Sequence, residues 1–241
     1  MYPKFAQTSN VKRYLDGIGQ LERRGAAEAC WMLAKGEPGL GKTRTLQWWA
    51  AQKNAIYIRA KTNWRPSWML GQIVEEFGQQ PERRLPDLFD QAMGLLGKSK
   101  RALVIDEARN MLHDMRLLET IRDLTDAVEP LFILGGEEFV SKRLEARFPQ
   151  ISSRISADVI FERATQGDVR TCCDDLSEVA IADDVIPRIH EESRGYYREV
   201  KNAIATAEAI GKRKGGKVKA EDLKGIQLCH TRGDRRGAEG R

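Results

Sequence analysis

Residues 36–43 read Gly-Glu-Pro-Gly-Leu-Gly-Lys-Thr, a full match to the phosphate-loop pattern G-x-x-x-x-G-K-[ST]. Glycines let the backbone curl so that several N–H groups point inward at phosphate oxygens. Lys42 adds a point charge for the terminal phosphates, and the Thr43 hydroxyl is suited to ligate Mg²⁺. The expected ATP-binding set is Gly36, Glu37, Pro38, Gly39, Leu40, Gly41, Lys42, Thr43 and Arg44. Farther on, the apolar run Leu103-Val104-Ile105 ends in Asp106-Glu107. After a phosphate loop, such a pair has distinct roles: Asp106 is the expected second magnesium ligand, and Glu107 orients or deprotonates the attacking water. An Asp-Glu pair after a strand is common by accident, so its meaning depends on the loop that precedes it.

Two arginines have the spacing to complete such a site. Arg154, in Ser152-Ser153-Arg154-Ile155, stands where a side chain would reach a neighbouring subunit's γ-phosphate and stabilise charge that develops on hydrolysis. Arg147 is the runner-up for that role, and a plain surface arginine is the alternative. Arg198, in Gly195-Tyr196-Tyr197-Arg198, opens a long helical pattern from which it would couple the γ-phosphate to a helical lid. Lys42, Glu107, Arg154 and Arg198 are thus the expected catalytic residues.

These side chains need a scaffold that alternates strand and helix. Helical periodicity runs from Thr8 to Arg24, with Val11, Leu15, Ile18 and Leu21 on one face. Short, continuously apolar runs at 28–35, 55–60, 102–105, 131–134 and 159–161 read as buried parallel strands. The first precedes the loop, and Thr43 to Gln52 follows it as a helix whose N-terminus faces the anion. Helical patterns separate the other strands, which predicts an α/β core: a five-stranded parallel sheet between helices. After Phe161 the strand patterns stop. Gly167–Ala182, Asp184–Ser193 and Tyr197–Lys212 read as a small helical unit. The expected division is an N-terminal segment and first helix at 1–27, the core at 28–163, a lid at 164–212 and a basic tail at 213–241.

Composition bounds the remaining classes. At 241 residues the chain suits one domain with an appendage. No apolar run is long enough to span a bilayer, and the N-terminus lacks a signal-peptide pattern, so a cytoplasmic location without membrane partners is expected. The four cysteines form no C-x-x-C pair and the three histidines do not cluster with them, which does not point to a zinc site. The net charge is +5, and its distribution is uneven. Residues 211–241 hold ten Lys/Arg against four Asp/Glu, whereas residues 1–210 hold 30 against 31. Such a basic end suits a polyanion, with a solvated tail as the alternative.

Together these parts resemble the AAA+ ATPases, which implies a phosphate-loop NTPase core with a small C-terminal helical lid. More narrowly, the chain is similar to the family of transposon target-selection ATPases that includes the bacteriophage Mu B protein. That resemblance rests on Thr8-Ser9-Asn10-Val11, the loop itself, Ile105-Asp106-Glu107-Ala108, Leu134-Gly135-Gly136-Glu137-Glu138-Phe139, Ser153-Arg154-Ile155 and the lid run Gly195 to Ala203. It covers about residues 5–212. It implies an ATPase in a bacterial host cell, dependent on ATP and Mg²⁺, whose hydrolysis is slow and partner-stimulated. It also implies a homo-oligomer, a ring or helical filament, that assembles on double-stranded DNA and hands it to a transposase. An initiator or helicase-loading ATPase, and a secretion or signalling ATPase that binds no DNA, are the competing readings.

The chain departs from the pattern twice. Many AAA+ proteins carry a polar residue after the fourth strand to help position the lytic water, whereas here Gly135-Gly136 offers no side chain. The Mu B protein has a helix-turn-helix module ahead of its ATPase domain, whereas here the first helix begins near Thr8. DNA contact is therefore expected from the core and the basic end. Lys61, Thr62 and Arg65, just past the second strand, are the first candidates. Arg109, Arg116, Lys212, Arg213, Lys214 and Lys217 form a second, weaker group. The alternative is a surface loop with Trp64 packed on the core. Trp48-Trp49 is expected to pack against the sheet rather than to stack on bases.

Overall fold

Five runs of branched and aromatic residues pair side by side into one parallel sheet in the computed structural model, which describes residues 1–229. The strands are β1 (Trp31–Lys35), β2 (Ile56–Arg59), β3 (Leu103–Asp106), β4 (Phe132–Gly136) and β5 (Ile155–Ile160), in the order β2-β3-β4-β1-β5. All pair in parallel, so the crossovers carry helices. Every residue of β1, β3 and β4 is buried, which is why these strands read as unbroken apolar runs. Edge strand β5 alternates instead, with Ala157 and Val159 buried and Ser156, Asp158 and Ile160 exposed. That alternation hides its first residues from a search for apolar runs, and β5 begins at Ile155 rather than Val159.

The described residues divide into two compact units. The core unit comprises residues 13–38 and 42–161. Its helices include α2 (Lys42–Lys53), α3 (Pro66–Glu75), α4 (Leu85–Ser99), α5 (Met115–Val128), α6 (Glu138–Arg147) and the short α7 (Pro149–Ser152). Most of α1 (Ser9–Glu22) also lies in it. Trp31 is fully buried against Phe132, ring centroids 4.4 Å apart, and its indole N–H donates to Thr125 Oγ1 at 2.9 Å. Each large apolar side chain so buried stabilises by about 1.5–3 kcal/mol. Trp49 and Trp64 are buried as well, so neither offers a ring for stacking, while Trp48 is half-buried. Lys35, almost buried at the end of β1, pairs with Asp158 of β5 and donates to Ser141 Oγ of α6 at 3.3 Å. That neutralises a charge the strand would otherwise bury alone.

The C-terminal unit comprises residues 1–12, 39–41 and everything described from Glu162 onward. It contains α8 (Gln166–Leu176), α9 (Ile186–Ser193) and α10 (Tyr197–Lys214). Thr165 and Asp168 form a capping box at the start of α8. Asp168 also accepts from Ser9 N at 2.6 Å and Ser9 Oγ at 2.8 Å, so one carboxylate ties the N-terminal segment to α8. Burial would raise the pKa of this carboxyl, but the hydrogen bonds from Ser9 and Thr165 hold it below the usual range.

The segment expected to be a basic tail from residue 213 is folded as far as Cys229. Gly215 caps α10 in the left-handed conformation, Val218 bridges Ile181, and a 3-10 turn spans Ala220–Leu223. Val218, Leu223, Leu228 and Cys229 are buried in the helical core. The apolar positions outweighed the surrounding charge. Residues 230–241, with the remaining tail charges, lie outside the described part. No described helix is long and apolar enough to cross a membrane.

Candidate active site

The phosphate loop leaves the C-terminal end of β1, and α2 begins at Lys42 inside it. Gly39 and Gly41 have φ of 90° and 91°, which a side chain would strain. Lys42 Nζ donates to the carbonyls of Gly36 at 2.6 Å and Glu37 at 2.8 Å, so the ammonium lies in the concavity of its own loop. Burial lowers its pKa, while the carboxylates of Asp106, Glu137, Glu107 and Glu37 oppose that shift. Arg44, in the first turn of α2, is exposed.

Thr43 Oγ1 donates to Asp106 Oδ2 at 2.7 Å. A hydroxyl beside a carboxylate is a pair of hard oxygen ligands, the donor set that suits Mg²⁺. Asp106 is buried and held by two further donors: Tyr57 O–H to Oδ2 at 3.0 Å and Glu107 N–H to Oδ1 at 2.8 Å. Burial, then Asp106 itself, pushes the Tyr57 phenol up, so it remains a donor. The described residues contain no cluster of three or more His, Cys, Asp or Glu poised for a metal. A magnesium ion held by one carboxylate, one hydroxyl, phosphate and water needs none.

β1 and β3 are not neighbours; β4 runs between them. Neighbouring strands lie about 4.8 Å apart, so Thr43 and Asp106 must meet across the end of β4. Gly135 makes that possible. A Cβ there would lie 3.0 Å from Asp106 Oδ1 and 2.5 Å from Leu46 Cδ1. The same bare position that denies the site a polar side chain from β4 clears the path between Thr43 and Asp106.

Glu107 adopts a left-handed backbone, φ 60° and ψ 45°, at the entry to a 3-10 turn over Ala108–Met111. Non-glycine residues there carry strain of order 1 kcal/mol. Its carboxylate pairs with Arg59 at 2.9 Å and Arg109 at 3.3 Å, and Arg109 reaches on to Glu137 at 3.1 Å. Sequence reasoning missed Tyr57, Arg59 and Glu137 as parts of this site and placed Arg109 among DNA contacts. The register Arg59↔Asp106 brings Tyr57 and Arg59 beside the carboxylate pair, and Glu137 arrives from the end of β4.

Arg154 is elsewhere. It immediately precedes β5, and its carbonyl accepts from Trp31 N–H at 2.9 Å, at the opposite end of β1 from the loop. Five residues of strand separate the two, about 16 Å. Arg154 therefore cannot touch phosphates held by its own loop. Its guanidinium pairs with Asp126 at 2.8 Å. Arg147 ends α6 and is exposed.

In the C-terminal unit, the loop tip is tied to both ends of the chain. Asn10 Nδ2 donates to Leu40 O at 3.3 Å and to Glu162 O at 2.7 Å. Arg198 N–H, in the first turn of α10, donates to Gly39 O at 3.2 Å. Lys61, Thr62 and Arg65 are exposed past β2, whereas Trp64 between them is buried. The charges at the end of α10 are less available. Lys212 pairs with Glu178 at 2.7 Å and Glu208 at 2.9 Å, Lys214 pairs with Asp222 at 2.6 Å, and Arg213 donates to Ala209 O at 3.3 Å. Arg116 is likewise paired with Asp114.

Comparison with known proteins agrees with this geometry. Residues 28–144 match the family model of an AAA domain. No curated protein matches the chain significantly. Among solved structures, it is similar to the Aeropyrum pernix ORC1 protein in complex with DNA, at 16% identity and a TM-score of 0.61 over 92% of this chain and 65% of that one. The Aeropyrum pernix ORC2 protein in ADPNP–ADP complexes matches at 16% identity and 0.67, over 92% and 68%. The Thermotoga maritima RuvB Holliday junction branch migration motor matches at 20% and 0.60, over 91% and 68%. The chain thus spans about two thirds of the length of these proteins, and at such identities they establish the fold.

Replacing Gly135 with Ala tests the crossing of β4. The variant should fold with a loss of about 1–3 kcal/mol, measured by chemical denaturation. Its ATP turnover should fall tenfold or more, with a higher Mg²⁺ requirement, because the magnesium ligands are displaced by a fraction of an ångström. Wild-type turnover at wild-type Mg²⁺ would contradict the role given to this glycine.

The chain has an α/β fold with a five-stranded parallel sheet like that of the AAA+ phosphate-loop ATPases, and residues 28–144, just under half of it, match the model of an AAA domain.

Proposed function

We propose that this chain is an ATP-dependent DNA-binding ATPase of transposition, which assembles on target DNA as a homo-oligomer and delivers it to a partner transposase. One observation carries the link between hydrolysis and DNA. Glu107, the residue placed to activate water, is ion-paired to Arg59, and Arg59 begins the exposed basic segment that continues through Lys61, Thr62 and Arg65. A duplex phosphate drawn to that segment competes for the same guanidinium.

Bound magnesium would supply charge neutralisation at the phosphates. The chain's own residues do the rest. Gly36 to Thr43 present N–H groups, Lys42 turns from its loop carbonyls to the terminal phosphates, and Thr43 with Asp106 offers two oxygen ligands. Glu107 orients water once its arginine partners let go. Arg198, whose helix start is bonded to Gly39, reports on the filled loop. Arg154, remote from its own loop, serves the phosphates of an adjacent subunit. ATP bound at such a joint stabilises the assembled state over free subunits, and hydrolysis removes that stabilisation.

The DNA-bound structures of Aeropyrum pernix ORC1 and Drosophila ORC support DNA association. They equally support the second reading, an initiator or helicase-loading ATPase. ATP-dependent filaments on nonspecific duplex DNA, seen by electron microscopy, favour transposition; closed rings on single strands favour loading. Glu107→Gln should bind ATP, lose turnover and leave the protein trapped on duplex. Normal turnover in that variant, or no nucleic-acid binding at low salt, would overturn the proposal.

The Arg59 end of its pair with Glu107 is largely exposed, so the pair holds by roughly 0–1 kcal/mol. Arg59→Ala should therefore raise DNA-independent turnover by up to about fivefold and remove most stimulation by duplex. Unchanged stimulation would separate the pair from DNA sensing.

A further inference from the structure

Arg154 is fixed at three levels. Its backbone N–H donates to Ile151 O at 3.0 Å, and its carbonyl accepts from Trp31 N–H at 2.9 Å, so β1 and α7 set the position of its Cα. Its side chain is then aimed by one carboxylate. Nε donates to Asp126 Oδ1 at 3.1 Å and Nη2 to Asp126 Oδ2 at 2.8 Å, a two-point contact along one edge of the guanidinium. Nη1 donates to Ser153 Oγ at 3.0 Å.

A guanidinium carries five N–H donors. Three are engaged among the described residues. The other two sit one on each terminal nitrogen, which is what a phosphate oxygen or an oxyanion requires. The side chains of Arg154 and Asp126 are 26% and 30% exposed, so the free donors are open to an approaching group. Asp126 does not consume the arginine; it removes the rotational freedom of a long side chain and leaves a charged edge presented. Neither residue lies near the phosphate loop of its own chain, because both belong to the opposite end of β1.

We propose that Asp126 is a positioning residue for hydrolysis in a neighbouring subunit: it aims Arg154 at the phosphates bound by the next copy of the chain. This rests on the reading of Arg154 as acting between subunits. Losing Asp126 leaves the charge of Arg154 in place but unaimed. The expected cost falls on kcat, roughly tenfold to a hundredfold, with KM for ATP little changed. Asp126→Glu keeps a two-oxygen partner and should recover part of the loss.

Mixing separates this role from a structural one. Asp126→Ala subunits keep Glu107 but lack an aimed arginine. Glu107→Gln subunits cannot hydrolyse but keep the Arg154–Asp126 pair intact. Co-assembled with ATP and duplex DNA, the two together place an intact arginine beside an intact Glu107. Turnover per Asp126→Ala subunit should therefore rise several-fold on mixing, and an Arg154→Ala mixture should behave the same way. If Asp126→Ala turns over at the wild-type rate, or is slow and not rescued while Arg154→Ala is rescued, the proposal for Asp126 fails and the reading of Arg154 stands. If Arg154→Ala is not rescued either, both fail. Should Asp126→Ala melt below the assay temperature, Asp126→Asn, which keeps the volume and one acceptor, is carried through the same mixtures and is judged by the same outcomes.

Discussion

The hydrogen bond between Thr43 and Asp106 spans a strand. The loop follows β1, the carboxylate ends β3, and β4 lies between. Two side chains separated by about twice the inter-strand spacing meet only if the intervening strand ends in something without a side chain. Gly135 is that residue, and Leu46 of α2 fills the space beside it. The order of the sheet therefore constrains the chemistry. It permits a magnesium site of two protein oxygens, and it removes the strand-borne polar group that many related ATPases have there. On the proposed reading, orienting water falls to Glu107 instead. Glu107 is strained at the backbone and paired to Arg59 and Arg109, which is what a slow resting enzyme would require.

A parallel sheet has two chemically different ends. The loop, Asp106, Glu107 and the exposed segment after β2 gather at the carboxyl ends of the strands, where helix N-termini and loops form a surface for anions. Arg154 and Asp126 sit at the other end. In the proposed account one chain holds the loop and its carboxylates and, about 16 Å away, an arginine that the site of another copy would use. Copies arranged head to tail would join the two. Occupancy of the loop would then control assembly, and assembly hydrolysis, through one shared set of contacts.

Much of this was legible in the sequence where one segment carried the whole signal. Residues 36–43 and 103–107 combine a strand, a turn and the reactive groups within a few positions, and they lie where expected. The misses have physical causes. Gly135-Gly136 reads as the end of a strand because glycine weakens strands, yet β4 continues through both, buried and paired with Ala34 and Lys35. The start of β5 was missed because an edge strand buries only alternate residues. The basic end was read by its charge, although Val218, Leu223 and Leu228 anchor it as far as Cys229. Lys212 and Lys214 look free in sequence because Glu178 and Asp222 arrive by folding, although Glu208 lies at i,i+4 from Lys212 on α10. The Arg59–Glu107 pair depends on the register of β2 against β3, which no local pattern encodes.

The central claim is that the catalytic centre is completed by a second copy of the chain. The most direct test is ATP turnover per subunit as a function of protein concentration, at saturating ATP and Mg²⁺. A shared site predicts specific activity that is near zero in dilute protein, rises steeply as subunits associate and then levels off. Specific activity that stays constant from dilute monomer upward would show that one chain suffices and would contradict the account.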